Sequence, residues 1–180
     1  MKAIRVHSHG GPDVLTLEDI DIGQPGPGEV LVWNRAIGVN FVDTYLRSGA
    51  FAPPSLPFTP GKEGAGEVVA IGEGVADFAL GDRVTFVETL GAYAEQCIVP
   101  THFLVHLPDP IDFETAAASM LKGLTAQYLL RRTFRVEAGQ TILVQAAAGG
   151  VGVILTQWAK HLGATVIGTV GSPEKAAIAR

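Results

Sequence analysis

The segment Gln145-Ala146-Ala147-Ala148-Gly149-Gly150-Val151-Gly152 constrains this 180-residue chain more than any other, because of what flanks it. Gln140-Thr141-Ile142-Leu143-Val144 reads as a short buried strand. From Val151 to Leu162, Ile154, Leu155, Trp158 and Leu162 recur at helical spacing. Strand, glycine turn and helix, in that order, are the setting a dinucleotide-binding loop requires. Glycine at 149 lets the backbone approach a pyrophosphate, and glycine at 152 lets helix and strand pack closely. The helix N-terminus adds unpaired N–H groups and a partial positive charge.

Aligned on the dinucleotide fingerprint, the match is Ala147-x-Gly149-x-x-Gly152, with alanine in place of the first glycine. A glycine-rich turn without a ligand would fit that motif alone, but a second apolar run, Ala164 to Val170, makes Thr141 to Val170 a βαβ unit. An NAD site carries an acid at the tip of that second strand to hold the ribose 2′-hydroxyl. Here the tip is Gly171-Ser172-Pro173-Glu174-Lys175, where a tight turn, a hydroxyl and a lysine suit a 2′-phosphate, so the expected cofactor is NADPH. Ser172 also reads as the N-cap of a helix with Pro173 at its first position, and a capped helix start is itself compatible with an anion.

With 47% hydrophobic and 17% charged residues, the chain can bury a substantial core. Its apolar runs fall short of the ~20 residues of a membrane span, and Met1-Lys2-Ala3-Ile4-Arg5-Val6 is too charged for a signal peptide, which predicts a cytoplasmic protein without membrane contact. A net charge of −5 argues against nucleic acid as a partner; the basic cluster Arg131-Arg132-Thr133-Phe134-Arg135 reads as a solvated helix end. One cysteine, Cys97, excludes an intrachain disulfide and cysteine-rich metal sites, and its place in an apparent strand from Ala92 to Val99 reads as a buried inert thiol. His102 and His106 are bracketed by Pro100 and Pro108, so a ligand-bearing helix is not expected there, nor is a metal.

The first hundred residues or so give strand-like runs at Lys2 to Val6, Leu15 to Ile20, Val30 to Val39, Gly66 to Ile71, Arg83 to Val87, Ala92 to Val99 and Phe103 to His106. Turn signals separate them, and a small barrel is the natural closure. Phe41 to Arg47 reads as a short helix, followed by a proline-rich loop from Phe51 to Pro60 suited to lining a cleft. Pro108-Asp109-Pro110 marks a boundary between units 1–110 and 111–180. Beyond it Asp112 is placed to cap a helix from Phe113 to Arg131, with Ala116, Met120, Leu124 and Tyr128 on one face.

Three segments carry a resemblance: Ala36 to Tyr45 (Ala-Ile-Gly-Val-Asn-Phe-Val-Asp-Thr-Tyr), Lys122 to Ala126 (Lys-Gly-Leu-Thr-Ala) and Ala146 to Gly152. Together, in that order and along the whole chain, they resemble the medium-chain dehydrogenase/reductase superfamily, and within it the zinc-free NADPH:quinone oxidoreductases of the zeta-crystallin-like group. The resemblance implies an α/β plus all-β fold: an N-terminal GroES-like, partly open barrel that carries substrate, then a Rossmann-type parallel sheet with helices, here truncated. Where zinc alcohol dehydrogenases of the superfamily carry a cysteine ligand this chain has Asn40, and where they carry Gly-His-Glu it has Gly61-Lys62-Glu63. Without a Lewis acid, alcohol oxidation loses its usual chemistry, whereas a quinone or activated alkene already accepts hydride through its conjugated carbonyl.

The same resemblance implies roles. Asn40, Asp43 and Tyr45 would line the nicotinamide and substrate cleft with their neighbours Phe41, Val42 and Thr44; Tyr45 and Asn40 are the expected catalytic donors, Tyr45 first. Lys122 and Thr125 would approach the nicotinamide and Tyr128 would border the cofactor, although Tyr45 and Tyr128 also suit plain packing. Gly149, Gly150, Val151 and Gly152 would hold the pyrophosphate, and Gly171, Ser172 and Lys175 the 2′-phosphate. Glu63 would keep a structural contact. Family members run on past the equivalent of Arg180 to complete the parallel sheet, so a truncated or incompletely recorded form, or a fragment that borrows strands, is expected, with a homodimer for the full-length protein. Two other readings remain open: an NADPH-dependent enoyl-thioester or alkenal reductase, and a non-enzymatic NADPH-binding or crystallin-like structural protein.

Overall fold

The structure is a computed structural model that describes residues 1–50 and 55–179. The first part of the expected proline-rich loop, Phe51 to Pro54, lies outside the described residues. The chain divides into two compact units, Met1–Met120 and Leu121–Arg180.

In the first unit β1 (Lys2–Val6) and β2 (Leu15–Asp19) form an antiparallel hairpin. A curled five-stranded antiparallel sheet follows, with β3 (Glu29–Ile37), β4 (Glu63–Ile71), β5 (Arg83–Val87), β6 (Gln96–Pro100) and β7 (Leu104–His106) in the order β6-β3-β4-β5-β7. The hairpin leans on this sheet through a bridge between Ala3 and Ala94, and Ile4 N–H donates to the Tyr93 carbonyl at 2.8 Å. The expected barrel is therefore a partly open, GroES-like half-barrel. Alternation explains the core: Val30 and Val32 of β3, Val68 of β4, Val84 and Phe86 of β5, and Cys97 and Val99 of β6 point to one face and are essentially inaccessible. A fully buried phenylalanine such as Phe86 contributes about 2–3 kcal/mol through its area alone.

The strand expected from Ala92 begins only at Gln96. The preceding residues have other backbone partners: Tyr93 N–H donates to the Pro60 carbonyl at 2.9 Å, and the Asn34 amide donates to the carbonyls of Ala92 and Ala94 at 3.2 and 2.9 Å. Between β3 and β4 lies α1 (Phe41–Ser48), closed at its C-terminus by Gly49 at φ 79°, a left-handed conformation that glycine adopts without strain.

Helix α2 (Phe113–Tyr128) starts where expected, capped by the Asp112 carboxylate, which accepts the Thr115 N–H at 2.6 Å. It ends in a π-helical turn, Leu129–Thr133, not in a continued α-helix to Arg131. The buried positions are Ala116 and Ala117, then Ala126 and Leu130, while Leu124 and Tyr128 are nearly half exposed. Strict spacing by four residues advances about 400° per step, so the row from Ala116 to Tyr128 drifts around the helix and leaves the buried face.

The second unit contains β8 (Thr141–Val144), α3 (Gly150–His161), β9 (Thr165–Gly168) and α4 (Pro173–Ala179). β8 and β9 pair in parallel, Thr141 opposite Thr165 through Val144 opposite Gly168, with α3 as the crossover. Leu155 and Trp158 of α3 and Leu162 at its C-cap pack with Ile142 and Val166 around buried Ala159 and Ala164, three of the four positions the helical spacing predicted; Ile154 is not in this cluster. This is a Rossmann-type parallel βαβ unit.

Candidate functional site

In the second unit the site is built at the turn from β8 to α3. Ala146 stands at φ 50°, a left-handed conformation costly for a residue with a side chain. The turn is held by Ala147 N–H donating to the Thr169 carbonyl at 2.9 Å and Gly149 N–H donating to the Ala146 carbonyl at 2.8 Å. Gly149 is the N-cap of α3, and the first intrahelical bond runs from Val153 N–H to the Gly149 carbonyl at 2.9 Å. The N–H groups of Gly150, Val151 and Gly152 therefore have no intrahelical acceptor and are available to an anion. Gly152 is there for space: a Cβ would stand 2.3 Å from the Ala146 carbonyl oxygen and 2.9 Å from backbone atoms of Ala147. At Gly150 a Cβ would first meet the Lys122 stem, 3.0 Å from its Cδ and Cε, which places Lys122 beside the first residue of α3.

A cavity of about 110 Å³ is lined by Ala146, Ala148, Gly149, Val170, Gly171 and Lys175. It gathers the glycine turn, the tip of β9 and one lysine, the elements needed to take a nucleotide phosphate next to a cation. Ser172 does not line it. Its hydroxyl accepts the Lys175 N–H at 3.4 Å and bonds the Glu174 carboxylate, holding that carboxyl below its usual range. A larger cavity of about 450 Å³ borders the other side of the turn, walled by Phe134, Val136, Leu143, Val151 and Leu155, an apolar lining suited to a flat ring and not to a phosphate. The Thr125 hydroxyl is spent on the Leu121 carbonyl one turn back at 2.8 Å, and the Tyr128 ring is 47% exposed.

In the first unit the candidate residues cluster at the start of α1. Asn40 is its N-cap, and the Asp43 carboxylate closes a capping box by accepting the Asn40 backbone N–H at 2.8 Å. The Asn40 side-chain amide donates to Glu63 Oε2 at 2.8 Å, so the buried Asn40 and Glu63 brace each other. Tyr93 OH donates to Asp43 Oδ2 at 2.9 Å. Burial raises the Asp43 carboxyl above its ordinary range, with a smaller push from Glu63, against the bonds from Asn40 and Tyr93 and the charge of Lys62. Burial also raises the Tyr93 hydroxyl, with Asp43 adding to it. Glu88, at φ 68°, forms a close ion pair with Lys62.

Above this buried network the surface of α1 is aromatic. Phe41 is 81% exposed and Tyr45 45% exposed, their ring centroids 6.4 Å apart and tilted at 45°. Val42 is half-buried, and the Thr44 hydroxyl is spent on the Phe41 carbonyl at 2.7 Å. Among the described residues no group of three or more histidine, cysteine or carboxylate side chains could hold a metal. Burial alone pushes the Cys97 thiol up to about 12, which leaves it protonated near neutral pH. No described helix is long and apolar enough to cross a membrane.

Of the residues expected from the sequence, the structure brings Gly149, Gly171 and Lys175 to one cavity and gathers Asn40, Asp43 and Tyr45 on and before α1. Ala146, Ala148 and Val170 in the cavity wall, and Tyr93 beneath Asp43, were not among those expected. The left-handed turn at Ala146 carries no glycine to signal it, and Tyr93 meets Asp43 from 50 residues away.

Comparison with known proteins bears on both units. A family described as the alcohol dehydrogenase GroES-like domain matches residues 26–109. A quinone oxidoreductase of Pseudomonas aeruginosa is 57% identical over 180 residues, which cover 99% of this chain and 55% of that protein. A 2-haloacrylate reductase of a Burkholderia species is 48% identical over 181 residues, covering 97% of this chain and 54% of that protein. The crystal structure of Escherichia coli quinone oxidoreductase complexed with NADPH superposes with a TM-score of 0.97 at 48% identity, covering 99% of this chain and 55% of that one. The chain thus spans about half the length of the curated relatives it matches.

Proposed function

The chain belongs to the quinone oxidoreductase family of the medium-chain dehydrogenase/reductase superfamily, and from that premise we propose that it is part of a metal-free, NADPH-dependent quinone reductase. The observation that carries the cofactor is the cavity in which Gly149, Gly171 and Lys175 meet. The donor set fits NADPH: three N–H groups without intrahelical acceptors at the start of α3 would hold a pyrophosphate, and the Lys175 ammonium would pair with the 2′-phosphate. The hydride for the conjugated carbonyl of the acceptor would come from bound NADPH. The chain's own residues orient the reactants and stabilise the negative charge that develops on the acceptor oxygen.

We assign the donor role at that oxygen to Tyr45, whose ring is partly exposed on α1 beside Phe41. The Asn40 amide serves it less directly, because the side chain is buried and donates to Glu63. Residues 1–110 form the substrate domain in this reading and residues 111–180 the start of the NADPH-binding domain. Lys122, Thr125 and Tyr128 border the cofactor, and the full-length protein is a cytoplasmic homodimer. Tyr45→Phe tests the assignment. It should lower kcat for quinone reduction roughly 100-fold and leave NADPH affinity within about twofold. An unchanged kcat would remove Tyr45 from the chemistry.

A second reading has one observation in its favour, the 48% identity to a protein named 2-haloacrylate reductase. An activated alkene accepts hydride at its β-carbon and needs the same oxyanion donor, so the same residues serve. Faster NADPH consumption with a 2-alkenoate or alkenal than with a quinone would favour it.

A further inference from the structure

Tyr93 lies in the stretch between β5 and β6, and its placement is fixed by backbone on three sides. Its ring packs on Gly61, which stands at φ 91° and where a Cβ would come 2.3 Å from Tyr93 Cδ1, so glycine is required for the ring to lie there. Its N–H donates to the Pro60 carbonyl at 2.9 Å, and its carbonyl accepts the Ile4 N–H at 2.8 Å. Held this way, the hydroxyl emerges at Asp43 Oδ2, at 2.9 Å. The same oxygen accepts the Asn40 N–H at 2.8 Å, while Asp43 Oδ1 is buried without a hydrogen-bond partner among the described residues. Asp43 is thus gripped by two donors, one from its own helix start and one from a segment 50 residues away. Asn40 passes the connection on to Glu63.

We propose that Tyr93 is a positioning residue: its hydroxyl fixes the Asp43 carboxylate across the start of α1, and through Asp43 it sets Asn40 and the helical turn that carries Tyr45. The inference rests on the reading above for the roles of Asn40 and Tyr45, but the anchoring of Asp43 is testable without it. The charged and titratable groups that bear on the pair are Glu63 and Lys62 near β4, and Arg47 on α1, which lowers the Tyr93 hydroxyl. Burial and Glu63 favour a proton on Asp43, while the donors from Asn40 and Tyr93 and the charge of Lys62 favour the carboxylate. The Tyr93 hydroxyl is one of the weights in that balance, so its removal tips Asp43 toward the protonated form.

The experiment is a carbon-13 NMR titration of the Asp43 carboxyl in the unaltered chain and in Tyr93→Phe. The midpoint should rise by about one pH unit in the variant. In quinone reduction, the acid limb of the pH–rate profile should move in the same direction. A Tyr93 that merely fills space would lower Tm without moving either midpoint, and that result would overturn the proposal. Should Tyr93→Phe fail to fold, the unaltered protein still decides. The resonance of the Tyr93 ring carbon that bears the hydroxyl, a group that itself ionises far above any carboxyl, must shift as Asp43 titrates and with the Asp43 midpoint, and no shift there would overturn the proposal. Absence of quinone turnover in the unaltered protein would count against the reductase reading alone, because the two carboxyl titrations still decide whether Tyr93 anchors Asp43.

Discussion

Two glycines of one turn, two residues apart, should respond oppositely to the same substitution. In Gly152→Ala the added Cβ would lie 2.3 Å from the Ala146 carbonyl oxygen, more than 1 Å inside van der Waals contact. The obstacle is backbone. It cannot retreat freely, because the Ala147 N–H is bound to the Thr169 carbonyl at 2.9 Å and the Gly149 N–H to the Ala146 carbonyl at 2.8 Å. Overpacking of this kind costs about 1–3 kcal/mol, and loss of one of those bonds adds about 1 kcal/mol. Replacing glycine by alanine within a helix returns at most about 1 kcal/mol. The net is a destabilisation of about 2 kcal/mol, or a Tm lower by about 4–8 °C for a chain of this size. In Gly150→Ala the nearest obstacle is the side-chain stem of Lys122 at 3.0 Å, which has to give by only a few tenths of an ångström, so stability should stay within about 0.5 kcal/mol or rise. Urea denaturation followed by circular dichroism measures both. NADPH titration should show Gly152→Ala losing affinity, because the N–H groups of the turn are displaced. If the two variants were equally stable and bound NADPH equally, close packing at Gly152 would not be what shapes the turn.

Other outcomes follow from the same geometry. Lys175→Glu replaces the cation of the 110 Å³ cavity by an anion, and NADPH affinity should fall at least about 10-fold while NADH affinity changes little; equal losses for both would mean Lys175 does not face the 2′-phosphate. Asp43 has a carboxyl pKa raised by folding, so the unfolded chain releases this proton first as pH rises. Stability relative to Asp43→Asn should therefore fall as pH rises from the ordinary carboxylate range through the higher folded pKa, then level off; a difference curve that rises with pH would show the carboxyl is lowered by folding instead.

Much of the fold can be read from the chain because local signals agree there. Around β8, α3 and β9 the apolar runs, the glycine turn and the helical spacing of Leu155, Trp158 and Leu162 all point to one βαβ unit. The Asp112 cap was legible for the same reason, as a side chain three residues from the N–H it accepts. What stayed hidden depends on partners distant in sequence. The segment Ala92 to Glu95 has the composition of a strand, yet Asn34, Pro60 and Gly61 take its backbone groups and turn Tyr93 toward Asp43. The buried face of α2 was misplaced because a row of residues four apart slides around a helix of 3.6 residues per turn. In the site, Lys175 was visible as a charge at a strand tip. Ser172 reads from the sequence both as a helix cap and as a phosphate contact, and its bonds to Lys175 N–H and the Glu174 carboxylate are those of a cap, which leaves the phosphate contact to be tested.

An NADPH-selective site at the start of α3 is what the proposed function requires of this chain. A fluorescence titration of the 180-residue chain with NADPH and, in parallel, with NADH tests it most directly. Saturable binding is expected, with NADPH preferred by roughly 10-fold or more, the worth of a charge-assisted contact to the 2′-phosphate. Equal affinity for the two nucleotides, or no saturable binding by a folded sample, would contradict it.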